Sequence, residues 1–141
     1  MSRHGYSDDC DDDLALGRWR AQVMSATRGK RGQEFFRDLV SALEAMPTKR
    51  LIAKELIKDG EVCALGAVGL KRGVHIDKID PEDHEIISIE LNVAEQLSRE
   101  VAFQNDDGCY DGETPEQRWA RMYAWAKENI RPHDQAASSA E

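Results

Sequence analysis

The stretch that decides the fold is residues 60–69, GEVCALGAVG: Gly60, Glu61, Val62 and Cys63, then Ala64, Leu65, Gly66, Ala67, Val68 and Gly69. Small residues at this density let two backbones pack close together, because each missing side chain removes a steric stop. The same stretch places a thiol where a turn passes into a helix, and a helix start favours the thiolate. One reading is structural and the other chemical, and the residues alone leave both open. Residues 63–71 read as a short helix ending near Gly73. The mostly apolar run 62–70 is too short to cross a bilayer.

Upstream, Leu51, Ile52, Glu55 and Leu56 fit a short helix over residues 49–57, built on the helix formers Ala53, Lys54, Glu55 and Leu56. The competing reading is a β-hairpin near 50–68 with Asp59-Gly60 as its turn; the helix is preferred. Before it, residues 33–46 carry Phe35, Phe36, Leu39, Val40 and Leu43 on one broad face, and Pro47 stops that helix. A first helix over 14–27 carries Leu16, Trp19, Val23 and Ala26 at helical spacing, with Asp13 as its cap and Arg28 to Gly32 as the break after it. Residues 1–12, with Asp8, Asp9, Asp11 and Asp12, read as a disordered acidic tail.

Downstream, Asp80-Pro81-Glu82-Asp83 reads as a helix start, followed by Ile86, Ile87, Ile89 and Leu91 and closed by Asn92 in the left-handed conformation. A further helix spans 94–104 with Leu97, Val101 and Ala102 inward, and residues 105–112 form an acidic loop. Thr114-Pro115-Glu116-Gln117 is a capping box with proline in the first turn. Its helix presents Trp119, Met122, Tyr123, Ala126 and Ile130 on one face until Pro132 ends it, and residues 132–141 read as a second disordered tail. The expectation is a mainly α, compact single domain over 13–131, made of five or six short helices.

The chain has 141 residues and a net charge of −8. That length suits one domain, large enough to bury a core without metals or disulfides. The charge repels nucleic acid and anionic membranes and favours a partner with a basic surface. Cys10, Cys63 and Cys109 lie far apart with no CxxC pair, so no zinc ribbon or disulfide framework is indicated, and a reducing cytoplasm is the simplest setting. No apolar leader follows Met1, so no signal peptide is expected.

Three pieces occur in order: Cys63-Ala64-Leu65-Gly66-Ala67, the pair Asn105-Asp106, and Thr114-Pro115-Glu116. This order resembles small uncharacterised proteins of phages, prophages and bacteria that share a Cys-Ala-Leu-Gly-Ala segment and a later Asn-Asp motif. The resemblance covers residues 30–130. It implies a setting, a phage or mobile-element accessory protein in a bacterial cytoplasm, and no particular chemistry.

Cys63 could act as a nucleophile at a helix start, with His75 or His84 as base and Asn105 or Asp106 orienting the imidazole. Its neighbours Ala64, Leu65 and Val68 equally suit a core cysteine. No His, Cys or acid pair has metal-ligand spacing, so neither a metal nor another cofactor is expected. Residues 87–101 partly mimic a helix-turn-helix, but the would-be recognition helix carries Glu95 and Glu100 against Arg99, which opposes duplex binding. The basic residues Arg28, Lys30, Arg31, Lys49, Arg50, Lys71 and Arg72 could converge into one patch or cap helix ends. The preferred expectation is a protein-binding accessory protein, with counter-defence inhibition as one form. Its contact surface is expected at Asp77, Asp83, Glu90, Asp106, Asp107, Asp111 and Trp125. A Cys63-dependent enzyme and a self-assembling structural protein are the alternatives.

Overall fold

The computed structural model describes residues 2–6, 13–109 and 112–132. Among them the architecture is mainly α, with six α-helices and one small hairpin in the order α1 (Asp13–Arg28), α2 (Lys30–Ala45), β1 (Ile57–Lys58), β2 (Glu61–Val62), α3 (Ala64–Lys71), a 3-10 turn (Ile76–Lys78), α4 (His84–Leu91), α5 (Glu95–Asp107) and α6 (Pro115–Glu128). Helix α2 packs against α1, α3 and α6. Its stripe of Phe35, Phe36, Leu39 and Leu43 is fully buried, as the helical spacing requires. The rest of the core comes from α3 (Leu65, Val68), α4 (Ile87, Leu91), α5 (Leu97, Val101) and α6 (Met122, Ala126).

The small-residue run of α3 packs as its composition demands. A Cβ on Gly66 would lie 2.1 Å from the Leu56 carbonyl oxygen, and one on Gly69 would lie 2.4 Å from Ile76 Cγ2. Helix α3 therefore lies directly on the hairpin backbone, and residues 64–69 are all buried.

Several expectations need correction. Residues 49–57 form no helix. Lys54 takes φ 71°, and Asp59 (φ 53°) and Gly60 (φ 80°) make the hairpin turn. Ile57 pairs with Val62 and Lys58 with Glu61, antiparallel. The backbone N–H groups of Leu51 and Ile52 donate to Pro115 O and Val62 O, so partners outside the segment replace the helical ones. The break between the first two helices is a single extended residue, Gly29; Gly32 lies inside α2, where a Cβ would meet Ala26 O at 1.9 Å. Helix α4 starts at His84, capped by Asp83 rather than Asp80, because Asp80 and Pro81 form a turn in which the Asp80 carboxylate accepts from Glu82 N–H. Asn92 closes α4 at φ 56°, ψ 52°, in the left-handed region. Leu16 is 42 % exposed, because α1 turns Trp19, Val23, Ala26 and Thr27 toward the body and Leu16 lies off that line.

Two further corrections matter most for the site. Helix α5 continues to Asp107, so Asn105 and Asp106 are helical rather than part of a loop. Residues 2–6 are not a loose tail: Arg3 and His4 are each only 4 % exposed, because α5 supplies acids that pair with them. The other tail residues, 1, 7–12 and 133–141, lie outside the described residues, as does Asp111.

Candidate functional site

The site begins at Cys63, which caps α3 from an extended conformation. Its Sγ accepts from Gly66 N–H at 3.4 Å and lies fully buried. The next N–H, of Ala64, donates to Asn105 Oδ1 at 3.0 Å. Asn105 is also fully buried, and its Nδ2 donates to Ile52 O and to Asp106 Oδ1, each at 2.9 Å. One amide side chain thus ties α3, the 50s loop and α5 together, and none of its polar atoms is left unpaired.

Asp106 receives Lys54 N–H on Oδ1 at 3.1 Å, an approach that the left-handed Lys54 makes available. Arg3 closes the cluster. Its Nε donates to Asp106 Oδ2 at 2.7 Å and its Nη2 to Oδ1 at 2.8 Å, a side-on bidentate pair. Its Nη1 donates to Glu55 O at 3.3 Å and to Cys63 Sγ at 3.4 Å. The Arg3 and Asp106 side chains are 2 % and 4 % exposed. Burial pulls the Arg3 guanidinium down, but the Cys63 sulfur and the Asp106 carboxylate more than offset it, and the net shift is upward. For Asp106, burial pushes the carboxyl up, yet the Arg3 hydrogen bonds and charge hold it below its ordinary value.

The rest of residues 2–6 is held as closely. His84 Nε2 lies 2.7 Å from Arg3 O and Nδ1 lies 2.7 Å from Ser98 Oγ. A carbonyl only accepts, so Nε2 carries the proton, and in the neutral ring Nδ1 accepts from Ser98. Burial is the main force holding His84 below its ordinary pKa, which keeps the ring neutral at pH 7. Arg99 Nη1 donates to His4 O at 3.1 Å, His4 Nε2 to Asp107 Oδ2 at 2.6 Å, and Tyr6 OH to Glu100 Oε1 at 2.8 Å. The Tyr6 ring packs against Phe103 and edge-on to Trp19.

Among the catalytic candidates, Cys63, Asn105 and Asp106 come together, and His84 reaches Arg3 rather than the thiol. His75 lies exposed before the 3-10 turn. No hydrogen bond joins either histidine to Cys63 among the described residues, and both His84 ring nitrogens are engaged. No group of three or more His, Cys, Asp or Glu side chains gathers there for a metal ion.

The acids expected at a contact surface differ in kind. Asp77 and Glu90 are exposed, and Asp83 is exposed while capping α4. Asp106 is an internal partner of Arg3, and Asp107 is an exposed partner of His4. Trp125 is half-buried, edge-on to Phe36 at 5.3 Å. It lines a groove of about 900 Å³ with Tyr6, Trp19 and Phe103. Of the basic residues, Arg31 and Arg72 meet at the end of α4, donating to Asn92 Oδ1 and Leu91 O, while others serve local partners. Lys49 donates to the end carbonyls of α2, Arg50 bridges Glu61 and Glu116, and Arg72 pairs with Asp38.

Arg3 is the residue that sequence reasoning missed. The available signal was charge: Arg3 and His4 are the only basic side chains before Arg18, and they match the pair Asp106-Asp107. Arg118 and Arg121 were missed too. They sit three apart on α6, donate to the α5 end carbonyls of Asn105 and Gln104, and pair with Glu113. Comparison with protein-family models, with curated proteins and with solved structures found no match.

Proposed function

We propose that this protein is a non-catalytic binding protein that holds a basic segment of a partner protein against the acidic face of α5. The observation that supports it is the lie of residues 2–6, whose Arg3, His4 and Tyr6 rest on Asp106, Asp107 and Glu100 of that helix. A basic and aromatic peptide is what this face accommodates. The net charge of −8 extends the attraction beyond the contact itself. We place the protein in the setting that the resemblance implies, a phage or prophage accessory protein in a bacterial cytoplasm that modulates a host or phage protein. Counter-defence inhibition is one form of this.

The test is capture of a partner by the tagged full chain from bacterial lysate at low and high salt, repeated with Asp107→Arg. The expected result is one near-stoichiometric partner, lost at high salt and weakened at least tenfold by the charge reversal. Capture indifferent to both salt and Asp107→Arg would overturn the reading.

A thiol-based reaction would need Cys63 to be reachable. It lies beneath Arg3 and is fully buried, so alkylation of Cys63 in the folded protein should be slow and limited by opening of the structure. Rapid alkylation below pH 7, measured by mass spectrometry of the labelled peptide, would revive the catalytic alternative.

His84 makes stability depend on pH. Its pKa in the fold lies below the ordinary 6.5, so unfolding takes up a proton. The associated stability is complete above about pH 6.5 and is lost as pH falls through the folded value. Urea unfolding at pH 7.5 and pH 5.5 should therefore show a decline of at most about 1.4 kcal/mol per pH unit, flattened in His84→Asn. Asp106 acts in a separate window. Its pKa is lowered from 3.8, so its contribution is kept above that value and lost at more acid pH.

A further inference from the structure

The Arg3 seat is built without Arg3. Asp106 is already aimed by Asn105 Nδ2 and by Lys54 N–H, and Cys63 is fixed by its place at the start of α3. Glu55 O completes a set of acceptors around a planar fork: two carboxylate oxygens, one carbonyl and one sulfur. A lysine ammonium cannot match this arrangement, because it has no second donor arm to pair side-on with a carboxylate.

Residues 2–6 meet the rest of the chain as a peptide ligand meets a receptor. Two successive carbonyls are read by His84 and Arg99, and three side chains enter separate contacts at Asp106, Asp107 and Glu100. A turn at Gly5, with φ 76°, directs Tyr6 toward Trp19. Only residues 7–12 separate this ligand-like segment from α1 along the chain.

Resting on the reading of the α5 face as a binding surface, we propose that the pocket of Asp106, Glu55 O and Cys63 is an arginine-binding site, and that Arg3 is its occupant in cis. The partner group that belongs there is a guanidinium on a peptide. It gains the seat by displacing residues 2–6. A ligand tethered through a short segment competes at an effective concentration on the order of millimolar. In Arg3→Ala, residues 2–6 keep their other contacts but lose the guanidinium, so the variant is expected to bind an arginine peptide at least tenfold more tightly than the wild type.

The experiment uses the full-length Arg3→Ala variant and two acetylated pentapeptides, Ser-Arg-His-Gly-Tyr and its lysine counterpart Ser-Lys-His-Gly-Tyr. The variant should melt about 5–10 °C below the wild type. The arginine peptide at millimolar concentration should restore most of that loss and slow alkylation of Cys63, while the lysine peptide should do neither. Equal effects of the two peptides, or none from either, would overturn the proposal. Should Arg3→Ala not fold, the wild type is titrated with the arginine peptide while the Tyr6 ring resonances are followed. Their movement to free-chain positions supports displacement, and unmoved resonances at saturating peptide overturn it. Peptide binding without any salt-sensitive partner would keep the pocket and remove the proposed function. A salt-sensitive partner without peptide binding would keep the function and remove the pocket.

Discussion

Asp106→Ala is expected to lower the stability of the protein by about 3–5 kcal/mol, the range for removing one partner of a buried ion pair. The loss is large because of what remains. Arg3, whose side chain is 2 % exposed in the fold, is left with its Nε and Nη2 donors without their acceptor. Lys54 N–H loses its acceptor, and Asn105 Nδ2 keeps only Ile52 O. The attraction itself is not the main quantity, since desolvation opposes it. The double variant Arg3→Met, Asp106→Leu should accordingly be more stable than Asp106→Ala alone. Urea unfolding of the three proteins checks both statements, and equal stability of wild type and Asp106→Ala would show that Arg3 is not seated as described.

Gly66→Ala is the second large effect. Alanine is the better helix former by about 1 kcal/mol, so propensity alone predicts a gain. Packing predicts the opposite. The new methyl would stand 2.1 Å from Leu56 O and 3.1 Å from both the Leu56 carbonyl carbon and Val62 Cβ. Leu56 O is the acceptor for Cys63 N–H at 3.2 Å, so moving the hairpin away breaks the bond that sets the start of α3. Overpacking typically costs about 1–3 kcal/mol; a clash with backbone belongs at or above the top of that range. Gly17→Ala is the control. Nothing lies within 4 Å of its Cβ on exposed α1, so there the propensity gain should survive. Thermal melts of the two variants should shift in opposite directions.

These two sites also show what was legible in the sequence. The density of small residues in 60–69 carried the close packing of α3, because only missing side chains permit that approach. The Phe35, Phe36, Leu39, Leu43 stripe and the Thr114 capping box are local signals, and their helices stand where spacing and caps place them. The hairpin was offered but ranked second. Ala53 to Leu56 favour a helix locally, whereas the tertiary bonds of Leu51 and Ile52 decide otherwise.

The end of α5 was misread. Residues 105–112 read as an acidic loop, yet α5 runs on through Asp106 and Asp107, although acids at a helix C-terminus oppose its dipole. The fold compensates with donors from far along the chain: the Arg3 guanidinium and the His4 ring on the carboxylates, Arg118 and Arg121 on the end carbonyls. Arg3 and Asp106 are 103 positions apart, and no period or spacing relates them. Asn105 and Asp106 were identified as candidates together with Cys63, and the three do meet. The side chain that lies against both Cys63 and Asp106 is the Arg3 guanidinium, where the catalytic reading would place an imidazole.

The most direct measurement is hydrogen exchange of the Arg3 Nε–H in the 15N-labelled full chain at pH 7. Seated on Asp106 and shielded from water, that proton should exchange at least about a hundredfold more slowly than in a free arginine side chain, given the opening free energies typical of buried bonds. The protection should vanish in Asp106→Asn. Exchange of the wild-type Arg3 Nε–H at the free-arginine rate would contradict the account at its centre.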